Sequence, residues 1–234
     1  MLKLRPVSAG LRIEVKPDTR TLDGKAVSQI DRIWETALLD SDKKLFDGLL
    51  FSVTAIENNL MTGSFVRYRQ FLAQRREPSL FAQLRLRPLA VTGVTSCTEG
   101  IIVGCRSKHM IQDADTWELA PSGGVDDLAR DSSNTVSLSR AILKELTEET
   151  GIPESEVINL PQPFLIIEDP DSHVVDIGMA IQTNLSTVQV RAYFAANTSH
   201  EYSKIDIISG AARENASPQL NPISQAILQA VKKL

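Results

Sequence analysis

Aromatic residues make up only 5% of this 234-residue chain, and cysteine is nearly absent, with Cys97 and Cys105 the two present. Two thiols without framework spacing exclude a disulfide-stapled scaffold and suggest small buried side chains in a reducing compartment. They have no adjacent cysteine or histidine ligands, so a zinc site is not expected. The three histidines, His109, His173 and His200, are scattered, with no H-x-x-x-H spacing. A basic excess is missing too: the formal charge of −4 argues against a broad nucleic-acid-binding surface. No apolar run is long enough to span a bilayer, and Met1 to Pro17 lacks the continuous apolar core of a secretory signal. A cytoplasmic protein without a membrane partner is therefore expected. What remains is ordinary globular composition, 42% hydrophobic and 23% charged. The length suits one large domain, or a domain with a smaller extension.

Against that plain background stands Lys144-Glu145-Leu146-Thr147-Glu148-Glu149-Thr150-Gly151-Ile152. On one helix Glu145, Glu148 and Glu149 occupy positions i, i+3 and i+4, which share a face, and like charges so placed repel. A hard divalent cation relieves that repulsion, because Mg²⁺ takes oxygen ligands and bridges carboxylates to substrate phosphates. A solvated acidic face is the plain alternative, and helix physics does not separate the two. Ser133, Asn134 or Thr135 can cap the helix start. Val136, Leu138, Ala141, Ile142, Leu143 and Leu146 supply an apolar stripe, with the glutamates expected off the packed face. Gly151 sits where a left-handed residue ends a helix, and Pro153 blocks continuation.

Upstream runs Trp117-Glu118-Leu119-Ala120-Pro121-Ser122-Gly123-Gly124-Val125, a strand-like segment entering a glycine pair. Together the two stretches resemble the signature of the Nudix hydrolases, G-x5-E-x7-R-E-U-x-E-E-x-G-U, with U a bulky aliphatic. Gly124 matches the opening glycine, and Glu145, Leu146, Glu148, Glu149, Gly151 and Ile152 match the closing half. Three positions depart from the pattern. Gly124 to Lys144 spans 144 − 124 = 20 positions where the pattern has 14, so six residues are inserted. Val136 stands where the pattern has its first glutamate, and Lys144 replaces the arginine, keeping the charge but losing the planar fork. The insertion, roughly Asp126 to Thr135, is rich in Asp, Ser and Asn and is expected to be an exposed loop.

The resemblance implies an α/β/α sandwich with a mixed sheet, and an enzyme that hydrolyses the phosphoanhydride bond of a nucleoside diphosphate linked to another group, NDP-sugar-like substrates favoured. It implies a metal held by Glu145, Glu148, Glu149 and the Gly124 carbonyl, Mg²⁺ first and Mn²⁺ as an alternative. Such ions neutralise the phosphates and acidify water. Glu145 and Glu149 are the catalytic candidates, with Glu145 the first choice as base. Lys144 either orients Glu145 or Glu148 or merely offsets their repulsion. Glu201, in Ser199-His200-Glu201-Tyr202, is a candidate extra ligand or base, or else an exposed acidic turn. Arg106 reads as a phosphate contact or a plain surface arginine. Asp113, Asp115 and Asp131 read as loop solvation or caps. The alternative function is a Nudix-like module that binds a nucleotide without cleaving it.

The resemblance covers residues 85–234; residues 1–84 read as an α/β extension. Leu11 to Val15 alternates as a strand, and Ile30, Ile33, Trp34, Ala37 and Leu38 mark a helix from Ser28 to about Lys44. Leu49 to Glu57 reads as a strand. Phe65, Tyr68, Phe71 and Leu72 suggest a second helix closing near Pro78. The first helix stripe needs a partner, either the sandwich or a second copy of the chain in a homodimer. Arg67, Arg69, Arg75, Arg76, Arg85 and Arg87 read as a solvated face, or as phosphate attraction. Leu89 to Cys97 and Ile101 to Arg106 form a hairpin candidate, as do Phe164 to Glu168 and Val174 to Thr183. Thr187 to Ala196 suits helix or strand, Ile205 to Ile208 reads as a strand, and Asn221-Pro222 starts a last helix.

Overall fold

The computed structural model describes residues 1–40, 45–108, 114–199, 201–209 and 219–231; the expectations for Lys44, His109, Asp113 and His200 lie outside them. Most apolar runs become strands of one mixed sheet. Its main path runs Lys3–Pro6 (β1), Gln162–Glu168 (β9), Val175–Gln182 (β10), Leu89–Cys97 (β5), Gly100–Arg106 (β6) and Tyr202–Ile208 (β11). Two short strands flank it: Trp117–Leu119 (β7) pairs with β6, and Ser122–Gly124 (β8) pairs with β5. Among the described residues of this sheet, β5 and β10 are the parallel pair, while β6 pairs antiparallel with β5 and with β11. A three-stranded second sheet orders Arg12–Val15 (β2), Leu60–Arg67 (β4) and Leu49–Glu57 (β3).

Strand alternation sends side chains to two faces of the large sheet. Leu89, Val91, Ile102, Ile166, Ile177 and Met179 face helix Leu138–Glu145 (α4) and share its buried cluster. Val94, Ile101, Val103, Leu165 and Ile167 face the terminal helix Pro222–Val231 (α6). Helices on opposite faces of a mixed sheet make the α/β/α layering that the sequence led us to expect. No helix among the described residues is long and apolar enough to cross a membrane.

Helix Gly24–Asp40 (α1) begins a turn earlier than its stripe predicts, and Leu38 turns out to be exposed. Its buried Ile30 packs with Val66, Phe71 and Leu84, and Trp34 meets the edge of Tyr68 at 6.3 Å between ring centroids. Phe65 is not helical as expected. It lies in β4, and helix Tyr68–Arg76 (α2) starts three residues later. The overlooked signal is Asn58-Asn59: Asn58 takes φ 50°, the left-handed value that turns a hairpin, and β4 returns antiparallel to β3. The Thr187–Ala196 segment resolves to a helix (α5), with Ser186 and Gln189 forming a reciprocal cap.

The inserted segment is the largest correction. Its side chains are mostly polar and several are exposed, as composition predicts, but Ala129 is buried and the backbone is tied to the small sheet. Asp126 bridges Leu50, Thr135 bridges Glu14, Val15 N–H donates to Asn134 O at 2.8 Å, and Val136 N–H donates to Ile13 O at 2.9 Å. Asp131 caps the turn internally by accepting from Ser133 and Thr135, which holds its carboxyl below the usual range. Ile13, Phe51, Val53 and Met61 of the small sheet share one core with β5, β10 and α4. The insertion is thus the seam joining two sheets. Removing six of its residues should abolish most soluble, folded protein; soluble yield and a thermal melt check this.

Candidate functional site

Ser137 starts α4, not the three upstream residues expected: its hydroxyl accepts from Arg140 N–H at 3.2 Å. Leu138, Ala141, Ile142 and Leu143 bury against the sheet. The helix does not continue in α geometry through the glutamates, because Leu146–Thr150 forms a single π-helical turn. Such turns add a residue within one revolution and so re-aim the side chains beyond it. Glu149, expected off the packed face, is only 1% exposed, whereas Glu148 points outward. Gly151, at φ 75°, ends the turn by donating to Thr147 O at 3.0 Å. A Cβ there would lie 2.6 Å from Tyr193 O of α5. Asn197 reinforces the joint by donating to Glu148 O at 2.9 Å.

Strand β8 lies against the two inner carboxylates. Ser122 N–H donates to Glu149 Oε2 at 2.9 Å. A Cβ on Gly123 would sit 2.4 Å from Glu145 Cδ, so this position tolerates no side chain while Glu145 stays in place. Neither glycine of the pair takes a positive φ; both belong to a strand. Gly124 is exposed at the end of β8, with open space where its Cβ would project.

Packing two carboxylates here is electrostatically costly. Burial pushes Glu145 up to about 7, Glu148 and Glu201 adding to the rise and Lys144 opposing it. Burial, then Glu201 and Glu145, raises Glu149 well above the usual carboxylate range. Among the described residues, Glu149 Oε1 is buried with no hydrogen-bond partner. Lys144 Nζ lies 2.9 Å from Glu148, 3.4 Å from Glu145 and 3.5 Å from Asp126. Those three carboxylates outweigh its burial and hold the amine charged.

A second polar layer adjoins the first. Glu118 is 4% exposed and pairs with Arg106 at 2.9 Å. Tyr202 donates its hydroxyl to Glu118 at 3.1 Å, and Asn221 donates at 3.1 Å to the other carboxylate oxygen. Arg106 also pairs with Glu201 at 3.3 Å, so it is a paired, largely buried arginine and not a surface one. The structure brings Glu145, Glu149 and Glu201 close enough to perturb one another, leaves Glu148 outside on Lys144, and puts Gly124 at the rim. Sequence reasoning assigned no role to Glu118, Tyr202 or Asp176. Asp176 had a visible signal, a lone carboxylate inside Val174-Val175-Asp176-Ile177.

Among the described residues no three His, Cys, Asp or Glu side chains stand gathered for a metal ion. The inner donors nevertheless suit a hard cation: an orphaned carboxylate oxygen on Glu149, a second carboxylate on Glu145, and an exposed Glu148 able to leave Lys144 by side-chain rotation.

No protein-family model and no curated protein matches the chain. Among solved structures it is similar to the MutT protein of Methanosarcina mazei Go1, at 16% identity over 62% of this chain and 93% of that one, with a TM-score of 0.43. It is also similar to the NUDIX domain of Shewanella oneidensis NrtR complexed with ADP ribose, at 17% identity, 67% and 97% coverage, and a TM-score of 0.44. A third is a bifunctional NMN adenylyltransferase/ADP ribose pyrophosphatase from Francisella tularensis, at 16% identity, 70% and 48% coverage, and a TM-score of 0.47.

Gly151→Ala should cost about 1–2 kcal/mol from the left-handed backbone alone, with the contact to Tyr193 adding to it; chemical denaturation reads this. Buried Asp176 has its carboxyl raised from 3.8 to about 7 by burial, with Glu118 adding and Thr92 opposing. A raised carboxyl stabilises the fold fully below its unfolded value and loses that contribution as pH rises through about 7. Asp176→Asn should therefore melt higher than the natural chain at pH 8, and the advantage should vanish toward pH 4.

Proposed function

We propose that the chain is a divalent-metal-dependent hydrolase of the Nudix type, cleaving the phosphoanhydride bond of a nucleoside diphosphate linked to another group. The observation that carries this reading is Glu149, buried beside Glu145 with one oxygen unpartnered. Burying like charges without compensation is unfavourable, and a cation bound between carboxylates removes the penalty. Glu145, Glu149 and the Gly124 carbonyl are the proposed ligands, with Glu148 joining once it leaves Lys144. When bound, a divalent cation neutralises adjacent phosphates and acidifies water.

The protein groups then divide the remaining work. Glu145, lying against β8 within the carboxylate cluster, is the first choice as the base that takes a proton from water. Glu201 is the alternative base or an added ligand, held near the site by Arg106. Lys144, freed from Glu148, keeps Glu145 oriented and faces the incoming phosphates as a fixed positive charge. Gly123 matters because only a residue without Cβ lets Glu145 lie against β8. NDP-sugar-like substrates with Mg²⁺ are the preferred choice, and Mn²⁺ the alternative metal.

The second reading, a module that binds nucleotide without cleaving it, draws on one observation: Lys144 already occupies the carboxylate cluster. Assay of NDP-sugars, dinucleotides and nucleoside triphosphates with Mg²⁺ separates the two. Hydrolysis should release a nucleoside monophosphate and stop in excess EDTA. Glu148→Gln and Glu149→Gln should each lower kcat by at least about a hundredfold, the low end of what loss of charge stabilisation costs. Glu149→Gln should also melt higher in metal-free buffer, since it removes a buried charge. Full turnover in EDTA would refute the metal reading, and binding without any product would favour the module.

A further inference from the structure

A chain of hydrogen bonds leads from the candidate site through the large sheet. Asp176, on β10, is 5% exposed, with its side chain on the face opposite those of Val175 and Ile177. Its Oδ2 accepts the Thr92 hydroxyl of β5 at 3.0 Å, and its Oδ1 has no hydrogen-bond partner among the described residues. Thr92 Oγ1 lies 3.1 Å from the Ser122 hydroxyl on β8, where Thr92 and Ser122 are cross-strand partners. A hydroxyl has one proton to give. With Thr92 donating to the ionised Asp176 carboxylate, the Ser122 hydroxyl donates to Thr92, and in that state the chain has one direction. Ser122 then presents its backbone N–H to Glu149 Oε2 at 2.9 Å.

Placement makes this more than local satisfaction. Val91 and Ile177 belong to the cluster under α4, so alternation puts Thr92 and Asp176 on the other face of the sheet, with Val94. A buried carboxylate with a bare oxygen there is unfavourable for folding, and an apolar residue would fill the space at lower cost. Its one partner, Thr92, is the residue that fixes Ser122. Such outlying hydrogen bonds orient metal-binding side chains.

Resting on the reading of Glu149 as a metal ligand, we propose that Asp176 and Thr92 are positioning residues: they lock Ser122 so that its N–H holds one oxygen of Glu149 and leaves the other for the cation. The test is binding of Mn²⁺ alone to the full chain, followed by the electron paramagnetic resonance signal of the free ion. Thr92→Val, similar in size but without the hydroxyl, should weaken binding about tenfold, the low end for loss of such a partner. Asp176→Leu and Ser122→Ala should act in the same direction, while Thr92→Ser should restore natural affinity. Circular dichroism verifies folding, and if Thr92→Val does not fold, Ser122→Ala decides. Natural Mn²⁺ affinity in folded Thr92→Val or Ser122→Ala would overturn the positioning role and leave the metal reading standing. Weakening in Thr92→Ser equal to that in Thr92→Val would show that the effect does not follow the hydroxyl, since serine keeps it, and would likewise overturn the positioning role. No Mn²⁺ binding by the natural chain would overturn the metal reading, and the positioning role with it.

Discussion

The burial of Glu149 beside Glu145 is the constraint to which the neighbouring structure answers. Two carboxylates cannot sit together away from water without help, and the surroundings supply it in specific pieces. Ser122 gives a backbone N–H, Lys144 gives a nearby ammonium, and Gly123 gives up its side chain so that Glu145 fits. The π-helical turn is the device that makes the burial possible, because it re-aims Glu149 inward while Glu148 stays in solvent. Gly151 then lets the chain leave sharply, under the backbone of α5.

The polar layer behind the glutamates explains the placement of the sheet edge. Arg106, Glu118, Tyr202 and Asn221 come from β6, β7, β11 and the start of α6, and their contacts join those elements around one buried carboxylate. Burial raises the Glu118 carboxyl, and Arg106 opposes the rise, with Tyr202 and Asn221 also donating to the carboxylate. Arg106 also reaches Glu201, which ties the segment entering β11 to Glu118, while Glu201 raises the carboxyl of Glu149 on the π-turn.

The small N-terminal sheet and the inserted segment belong to the same physical problem. Residues 126–135 pair by backbone with Leu50, Glu14 and Val15, just ahead of the start of α4. Asp126 at one end of that segment also touches Lys144. The segment that lengthens the spacing between Gly124 and Lys144 is therefore mechanically part of the scaffold holding the carboxylates.

Periodicity and turn chemistry alone determined much of this protein: the strands over Leu49–Glu57 and Leu89–Cys97, the α4 stripe, the Gly151 stop and the terminal helix are local patterns, readable from neighbouring residues. The cluster of Glu145, Glu148 and Glu149 was likewise visible as spacing. Tertiary structure decided the rest. Whether Phe65 is strand or helix depended on β3 offering it a pairing edge, and whether the insertion was loop or seam depended on backbone groups that composition does not describe. Which glutamate is buried depended on one π-turn, whose extra residue leaves no mark in the hydrophobic pattern. The chain from Asp176 to Glu149 joins residues far apart in sequence, and only the register of β10, β5 and β8 sets them within hydrogen-bonding reach.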